Sequence, residues 1–166
     1  MVTRNAPALL ARRGFDPKTV ALAQRFFAGQ IAPKEMVPAL VRLGGAYYHD
    51  PSLLKVAGEM IRGGWRVKIR PEALIFAGRH LLDGWTVMDR LGEITVPTLV
   101  MAGRDDFLFP PEHQRELAAG ISGACLRIVE GAGHNAHTEQ TAEVVGAIRH
   151  FLRGVADTEP SRFEAR

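Results

Sequence analysis

Short apolar stripes at helical spacing, broken repeatedly by glycine and proline, run through the first ninety residues of the chain. Asp16 followed by Pro17 is typical of a helix start, because the carboxylate can cap the first turn and proline lacks only an N–H group that has no helical partner there. Further helices are predicted at residues 33–43, 50–61 and 71–80. Each is too short to be stable alone, so we expect their apolar faces to pack on one another or on a neighbour.

The pattern changes in the second half of the chain. Residues 96–102 form an almost continuous apolar run that ends at a glycine, and residues 125–129 form a second run closed by a glycine-rich turn. Such runs are typical of strands buried on both faces of a parallel sheet. Helical spacing follows each strand, at residues 111–119 and 139–152, and this alternation predicts an α/β fold. Two strands leave unpaired edges, so we expect this part of the fold to be incomplete.

Composition and charge exclude several classes of function. The net charge of +3 on 166 residues is too small to indicate a nucleic-acid-binding protein, and the basic residues form no stripe. No apolar run approaches the roughly 18 residues that a membrane helix needs. Cys125 is the single cysteine, which rules out an intrachain disulfide, and we expect it to be a small core residue of a cytoplasmic protein. The histidines lack the spacing of metal ligands, so no metal is expected.

Polar side chains follow both predicted strands. Asp105 and Asp106 come directly after the first strand, and His134 follows the turn that closes the second. Because the carboxyl ends of parallel strands lie at one edge of a sheet, we expect these loops to be neighbours. A carboxylate beside an imidazole has a specific use at that edge. It fixes the tautomer of the ring and stabilises the imidazolium while the other nitrogen takes a proton from a nucleophile.

Residues 94–106, Pro110 and the turn Gly131-Ala132-Gly133-His134 together resemble the last two core strands of α/β-hydrolases. The helical first half is similar in placement and style to the lid of proline iminopeptidase-like members of that family. The resemblance implies a partial α/β-hydrolase fold, in which a helical lid precedes the strand-helix-strand-helix of a parallel sheet. Its parts are a lid at residues 1–90, the C-terminal part of the core at residues 91–153 and a flexible tail at residues 154–166.

The resemblance also implies the roles of two residues. Asp106 is then the acid of the catalytic triad and His134 the general base, in the order of acid before histidine that the family shows. Asp105 as the acid and His137 as the base are the open alternatives at these positions. The family needs no cofactor, and we expect none here.

The nucleophile, which the family carries on a Gly-x-Ser-x-Gly turn, has no counterpart in this sequence. Ser52 opens a lid helix, Ser122 lies between the acid and the histidine, and Ser161 lies in the tail. The resemblance therefore implies a fragment of a serine hydrolase, aminopeptidase- or esterase-like, that cleaves ester or amide bonds. The complete protein would act on a small-molecule ester, an amide or a peptide. We expect this chain alone to be inactive.

A non-catalytic binding or structural module is the alternative from another functional class. The exposed sheet edge would then pair by self-association or with a partner that bears the missing N-terminal half. Neither hypothesis involves nucleic acid or a membrane.

Several other side chains admit two interpretations. Arg104 either lines the site or is a solvated loop residue. Glu139 and Glu143 are most simply part of a solvated helix face. Four aromatic residues either line a substrate pocket or pack within the lid: Tyr47, Tyr48, Trp65 and Trp85.

Overall fold

The computed structural model describes residues 2–50, 70–77 and 86–158, together with residues 54, 57, 58, 61 and 80. The chain divides into two compact units, Met1–Thr86 and Val87–Arg166. Across the described residues, none of the helices combines the length and the apolarity that a membrane crossing needs.

The first unit is helical. Asp16 caps the second of its helices, as predicted: its carboxylate accepts the backbone N–H groups of Lys18 at 3.0 Å and Thr19 at 3.1 Å. Such a cap satisfies N–H groups that have no partner inside the helix. The helices are α1 (Val2–Arg12), α2 (Pro17–Phe27), α3 (Met36–Gly44) and α4 (Pro71–Phe76), with 3-10 turns at Pro33–Glu35 and Gly45–Tyr47.

Apolar side chains and one arginine hold this unit together. The guanidinium of Arg13, just after α1, donates to the carbonyl oxygens of Ala46 at 2.7 Å and Tyr48, so the end of α1 is tied to the turn after α3. These bonds satisfy carbonyls that a helix end leaves unpaired. The core between α2, α3 and α4 consists of the buried Ile31, Met36 and Ala39 and the partly buried Leu22, Phe26, Leu40 and Ile75.

The burial predicted for the helix at residues 50–61 is wrong where the structure describes it. Leu54 and Ile61 are helical, but their side chains are 85% and 70% exposed, because no described residue covers them. Tyr48 is buried and Tyr47 is half-buried, which favours packing within this unit for these two aromatics. Trp65 and Trp85, like most of the predicted helix, lie outside the described residues.

Asp16 gives the first unit a predicted dependence on pH. A hydrogen bond from the Thr19 hydroxyl, then backbone N–H groups and the Arg42 guanidinium, lower the pKa of Asp16 below its usual value. A carboxyl whose pKa is lower in the folded state stabilises the fold above its unfolded pKa, and this contribution disappears as the pH falls through the folded pKa. We therefore expect Asp16→Ala to destabilise the unit at pH 7 and to remove part of the acid sensitivity below about pH 4. Thermal unfolding of both proteins from pH 7 to pH 2 measures this, and parallel curves would contradict it.

The second unit has the predicted order of strand, helix, strand and helix. Strands β1 and β2 pair in parallel, with Leu99 opposite Cys125 and Gly103 opposite Val129. β1 begins three residues later than the predicted run, because Pro97 has no N–H to pair in a sheet. Val96, which precedes the strand, is exposed. The elements are a 3-10 turn at Met88–Glu93, β1 (Leu99–Gly103), α5 (Pro111–Gly120), β2 (Cys125–Val129), α6 (Ala136–Glu139) and α7 (Thr141–Thr158).

Fewer apolar residues are buried in this unit than the sequence predicted. Cys125 is exposed rather than a core residue, because β2 is an edge strand that pairs only with β1 in the described sheet. Along α7, Val144 packs against Val129, whereas other apolar residues of the same helix are exposed. A helix lying on two strands buries only one narrow stripe, which leaves the rest of its apolar side chains uncovered. The large apolar side chains that are exposed on the described part of α7 are Val145, Ile148 and Leu152.

Candidate active site

The loops after β1 and β2 are neighbours, as the order of strands predicts. Where the two strands end, the backbone N–H of Arg104 donates to the carbonyl of Val129 at 2.9 Å. One step further, the N–H of Asp105 donates to the carbonyl of Ala132, also at 2.9 Å. The parallel pairing therefore continues into both loops and brings the residues that follow them to one edge of the sheet.

Gly103 is required by this close approach. A Cβ atom at Gly103 would lie 2.1 Å from the carbonyl oxygen of Gly133 and 2.4 Å from that of Ala132. Both atoms belong to the backbone, which cannot move aside as the end of a flexible side chain could. The absence of a side chain at Gly103 thus allows the turn before His134 to pack against β1.

Asp106 lies in the loop after β1 with both carboxylate oxygens engaged. Its side chain is 7% exposed, and Oδ1 accepts the backbone N–H groups of Leu108 at 2.9 Å and Phe109 at 3.1 Å. Its other oxygen, Oδ2, is 3.0 Å from Nδ1 of His134. The two backbone N–H groups fix the rotation of the carboxylate, so Oδ2 is held toward the imidazole.

His134 is half-buried at the end of the glycine turn after β2. An ionised carboxylate only accepts hydrogen bonds, so a neutral ring that pairs with it carries its proton on Nδ1 and its lone pair on Nε2. The ring of Phe109 lies 5.9 Å away between centroids, tilted by 34°. This arrangement can take up a proton at Nε2 and stabilise the resulting imidazolium through Asp106.

The residues that the sequence left as alternatives lie in different surroundings. Oδ2 of Asp106 lies 3.0 Å from Nδ1 of His134, while His137 lies exposed on α6. Arg104 pairs with Glu130, Nε lying 3.1 Å from both carboxylate oxygens. This hydrogen bonding raises the pKa of Arg104 and lowers that of Glu130. Arg104 is therefore engaged at the surface with the first residue after β2.

Of the residues considered as nucleophiles, the two described in this unit, Ser122 and Cys125, lie at the opposite end of β2 from His134. Ser122 precedes β2, and Cys125 is its first residue, whereas His134 follows the carboxyl end of that strand. Ser52 and Ser161 lie outside the described residues. The described residues thus bring together an acid and a base without a serine or cysteine at the same edge.

Glu139 is the residue that sequence reasoning missed. It was predicted to be part of a solvated face, but its Oε2 accepts the backbone N–H of Gly133 at 2.7 Å. Glu143, from the same predicted face, pairs instead with Arg127 on β2 at 2.8 Å. Helical spacing alone could not separate the two, because α6 ends at Glu139 and a new helix begins two residues later.

No three histidine, cysteine or carboxylate side chains converge anywhere in the described part of the chain in a way that could hold a metal ion. The polar cluster at the carboxyl ends of the strands therefore consists of one acid–imidazole pair and the groups that orient it.

The chain is similar to known hydrolases. The sequence model of the alpha/beta hydrolase family matches residues 2–147. The chain is 37% identical over 103 residues to the 2-hydroxy-6-oxo-6-phenylhexa-2,4-dienoate hydrolase of Comamonas testosteroni, covering 59% of the chain and 36% of that protein. It is 42% identical over 62 residues to a proline iminopeptidase of Pestalotiopsis fici, covering 37% of the chain and 22% of that protein. The chain thus spans about a third or less of the length of these relatives.

Solved structures show the same fold. An esterase of Thermogutta terrifontis superimposes with a TM-score of 0.61 at 24% identity, over 85% of this chain and 52% of the esterase. The proline iminopeptidase of Mycobacterium smegmatis superimposes with a TM-score of 0.56 at 20% identity, over 92% of this chain and 52% of that protein. The predicted resemblance to the C-terminal part of such a fold, including proline iminopeptidase-like members, is confirmed.

Proposed function

Because the chain belongs to the alpha/beta hydrolase family, we propose that it supplies the acid and the general base of a serine hydrolase. The observation that carries this proposal is the 3.0 Å contact between Nδ1 of His134 and Oδ2 of Asp106. The contact lies where two parallel strands end, which is the edge at which open α/β sheets form their sites. The complete enzyme, in this proposal, is this chain together with a segment that carries the nucleophilic serine.

His134 moves protons in both halves of the proposed reaction. Its Nε2 takes the proton of the serine hydroxyl as the serine oxygen bonds to the substrate carbonyl carbon, and it returns that proton to the leaving group as the bond to that group breaks. Water then repeats the sequence: His134 takes its proton, the water oxygen bonds to the acyl carbon, and the serine leaves with the proton. Asp106 remains ionised and stabilises the imidazolium in each half.

The isolated 166-residue chain is expected to have no hydrolase activity, because the acid–base pair has no nucleophile to activate. Hydrolysis of a chromogenic short-chain ester by the purified chain should equal that of buffer. His134→Ala is the control, and it should give the same rate. Turnover by the chain that disappears in His134→Ala would overturn this part of the proposal.

Esters, amides or peptides are the proposed substrates of the complete enzyme. The names of the relatives point to different substrates, since they include a 6-oxo-dienoate hydrolase, an esterase and proline iminopeptidases. A useful panel therefore contains an aryl ester, a prolyl anilide and a 2-hydroxy-6-oxo-dienoate. The helical first unit, in this proposal, is the lid that selects among them, and the enzyme works in the cytoplasm.

A second candidate function is a binding or structural module that pairs through its sheet. The observation in its favour is that β1 pairs with β2 alone in the described sheet, so the other edge of β1 presents backbone N–H and C=O groups. Light scattering after size-exclusion chromatography tests this candidate. A concentration-dependent dimer that persists in the catalytically substituted His134→Ala protein would favour it, and a monomer at all concentrations would count against self-association.

A further inference from the structure

The turn that carries His134 is held by three hydrogen bonds from outside it. Because glycine has the greatest backbone freedom of any residue, a turn with two glycines needs such restraints to present a side chain in one direction. The three bonds join Gln140 Nε2 to the carbonyl of Gly131 at 3.2 Å, the N–H of Asp105 to the carbonyl of Ala132 at 2.9 Å, and the N–H of Gly133 to Oε2 of Glu139 at 2.7 Å.

The bond from Gly133 to Glu139 acts closest to the imidazole. Gly133 is buried and directly precedes His134, and its carbonyl oxygen packs against Gly103 on the opposite side. Its N–H group is therefore fixed by Glu139 while its C=O group is fixed by β1. A charge-assisted hydrogen bond to a carboxylate is shorter and stronger than one between neutral groups, so this restraint is well suited to hold the peptide plane.

We infer that Glu139 is a positioning residue, whose carboxylate holds the Gly133 peptide so that the ring of His134 meets Asp106. This inference rests on the proposed role of His134 as the general base. Glu139 acts through the backbone of its neighbour and takes no part in proton transfer. It sets the direction of the imidazole, and Asp106 sets the tautomer.

Two substitutions at position 139 distinguish the effect of the hydrogen bond from the effect of the negative charge. Glu139→Gln keeps a carbonyl oxygen that can accept from the N–H of Gly133, whereas Glu139→Ala leaves that N–H without its acceptor. Glu143→Ala is the matched control, because Glu143 also lies beyond α6 but pairs with Arg127 at 2.8 Å rather than with the turn.

The test is nuclear magnetic resonance of the 166-residue chain labelled with 15N in its histidine rings, at a pH at which the ring of His134 is neutral. The ring 15N shifts report the tautomer, and the His134 signals are assigned from His134→Gln. We expect wild type, Glu139→Gln and Glu143→Ala to keep the proton on Nδ1. In Glu139→Ala the ratio of the Nδ1–H to the Nε2–H form should fall about fivefold or more, because one hydrogen bond that orients the ring is lost.

Two results would overturn the inference. One is a Glu139→Ala protein that keeps the wild-type tautomer ratio. A lower thermal midpoint in that protein would not rescue the inference, because a merely structural role predicts lower stability with an unchanged tautomer. The other is Glu139→Gln behaving like Glu139→Ala, which would assign the effect to charge instead of to the hydrogen bond. The tautomer is measured without turnover, so a complete enzyme that is inactive on every substrate would refute the proposed function and leave this result to be judged separately.

Discussion

Asp106→Asn is expected to lower kcat of the complete enzyme about 10⁴-fold. The amide can still accept the N–H groups of Leu108 and Phe109 through its oxygen, so the loop after β1 keeps its shape. Its NH2 group then faces Nδ1 of His134 and donates to it, which places the ring proton on Nε2, the nitrogen that must accept the proton of the nucleophile. Steady-state kinetics measure the effect, either in the complete protein or in a chimera in which this chain replaces the corresponding segment of the Comamonas testosteroni hydrolase.

Asp105→Asn is the matched control for that experiment. It removes the same charge one residue earlier and leaves intact both the backbone bond to Ala132 and the contact between Asp106 and His134. We expect its kcat to stay within a few-fold of wild type. Equal losses in the two variants would show that the net charge of the loop, and not the contact with Nδ1, controls the rate.

Gly103→Ala is expected to destabilise the second unit by about 3 kcal/mol or more. The added methyl group would lie 2.1 Å from the carbonyl oxygen of Gly133, so β1 and the turn before His134 must separate. That separation also strains the bond between Asp105 and Ala132 and pulls His134 away from Asp106. Urea unfolding followed by circular dichroism gives the stability, and hydrogen exchange of the β1 and β2 amides locates the change.

Gly146→Ala provides the control for the glycine experiment. Gly146 lies in α7, and a Cβ atom built there has no neighbour within 4 Å outside its own helix. Alanine favours a helix over glycine by about 1 kcal/mol, so this variant should be slightly more stable than wild type. If Gly103→Ala were as stable as Gly146→Ala, the close approach of the two loops would not be a requirement of the fold.

That the loops carrying Asp106 and His134 are neighbours could be predicted from the order of strands and helices, whereas the choice of these two residues came from the family resemblance. Two buried runs, each followed by a helix, fix a parallel pair, and a parallel pair places both following loops at one edge. The predicted second strand, residues 125–129, coincides with β2, and the predicted cap at Asp16 is also present. The bounds of β2 and the helix cap depend on residues that are adjacent in the sequence, so they could be predicted without knowledge of distant neighbours.

Burial could not be anticipated in the same way. An apolar residue is buried only if another element lies against it, and the sequence of one strand or helix does not say how many neighbours it has. Cys125 is exposed because β2 is an edge strand, and Ile148 because α7 presents a single stripe to the sheet. The hydrogen bond from Gly133 to Glu139 could not be predicted for a related reason. Its donor is a backbone N–H group, which the pattern of side chains does not reveal.

Asp106 and His134 lie only 28 positions apart along the chain, in the loops that follow two adjacent strands joined by a single helix. Closing so short a loop costs little conformational entropy compared with bringing together residues from distant parts of a domain. One strand-helix-strand block, with the loops that follow its strands, thus holds both members of the proposed acid–base pair. Under the proposed function, such a block can be transplanted or recombined as a single unit.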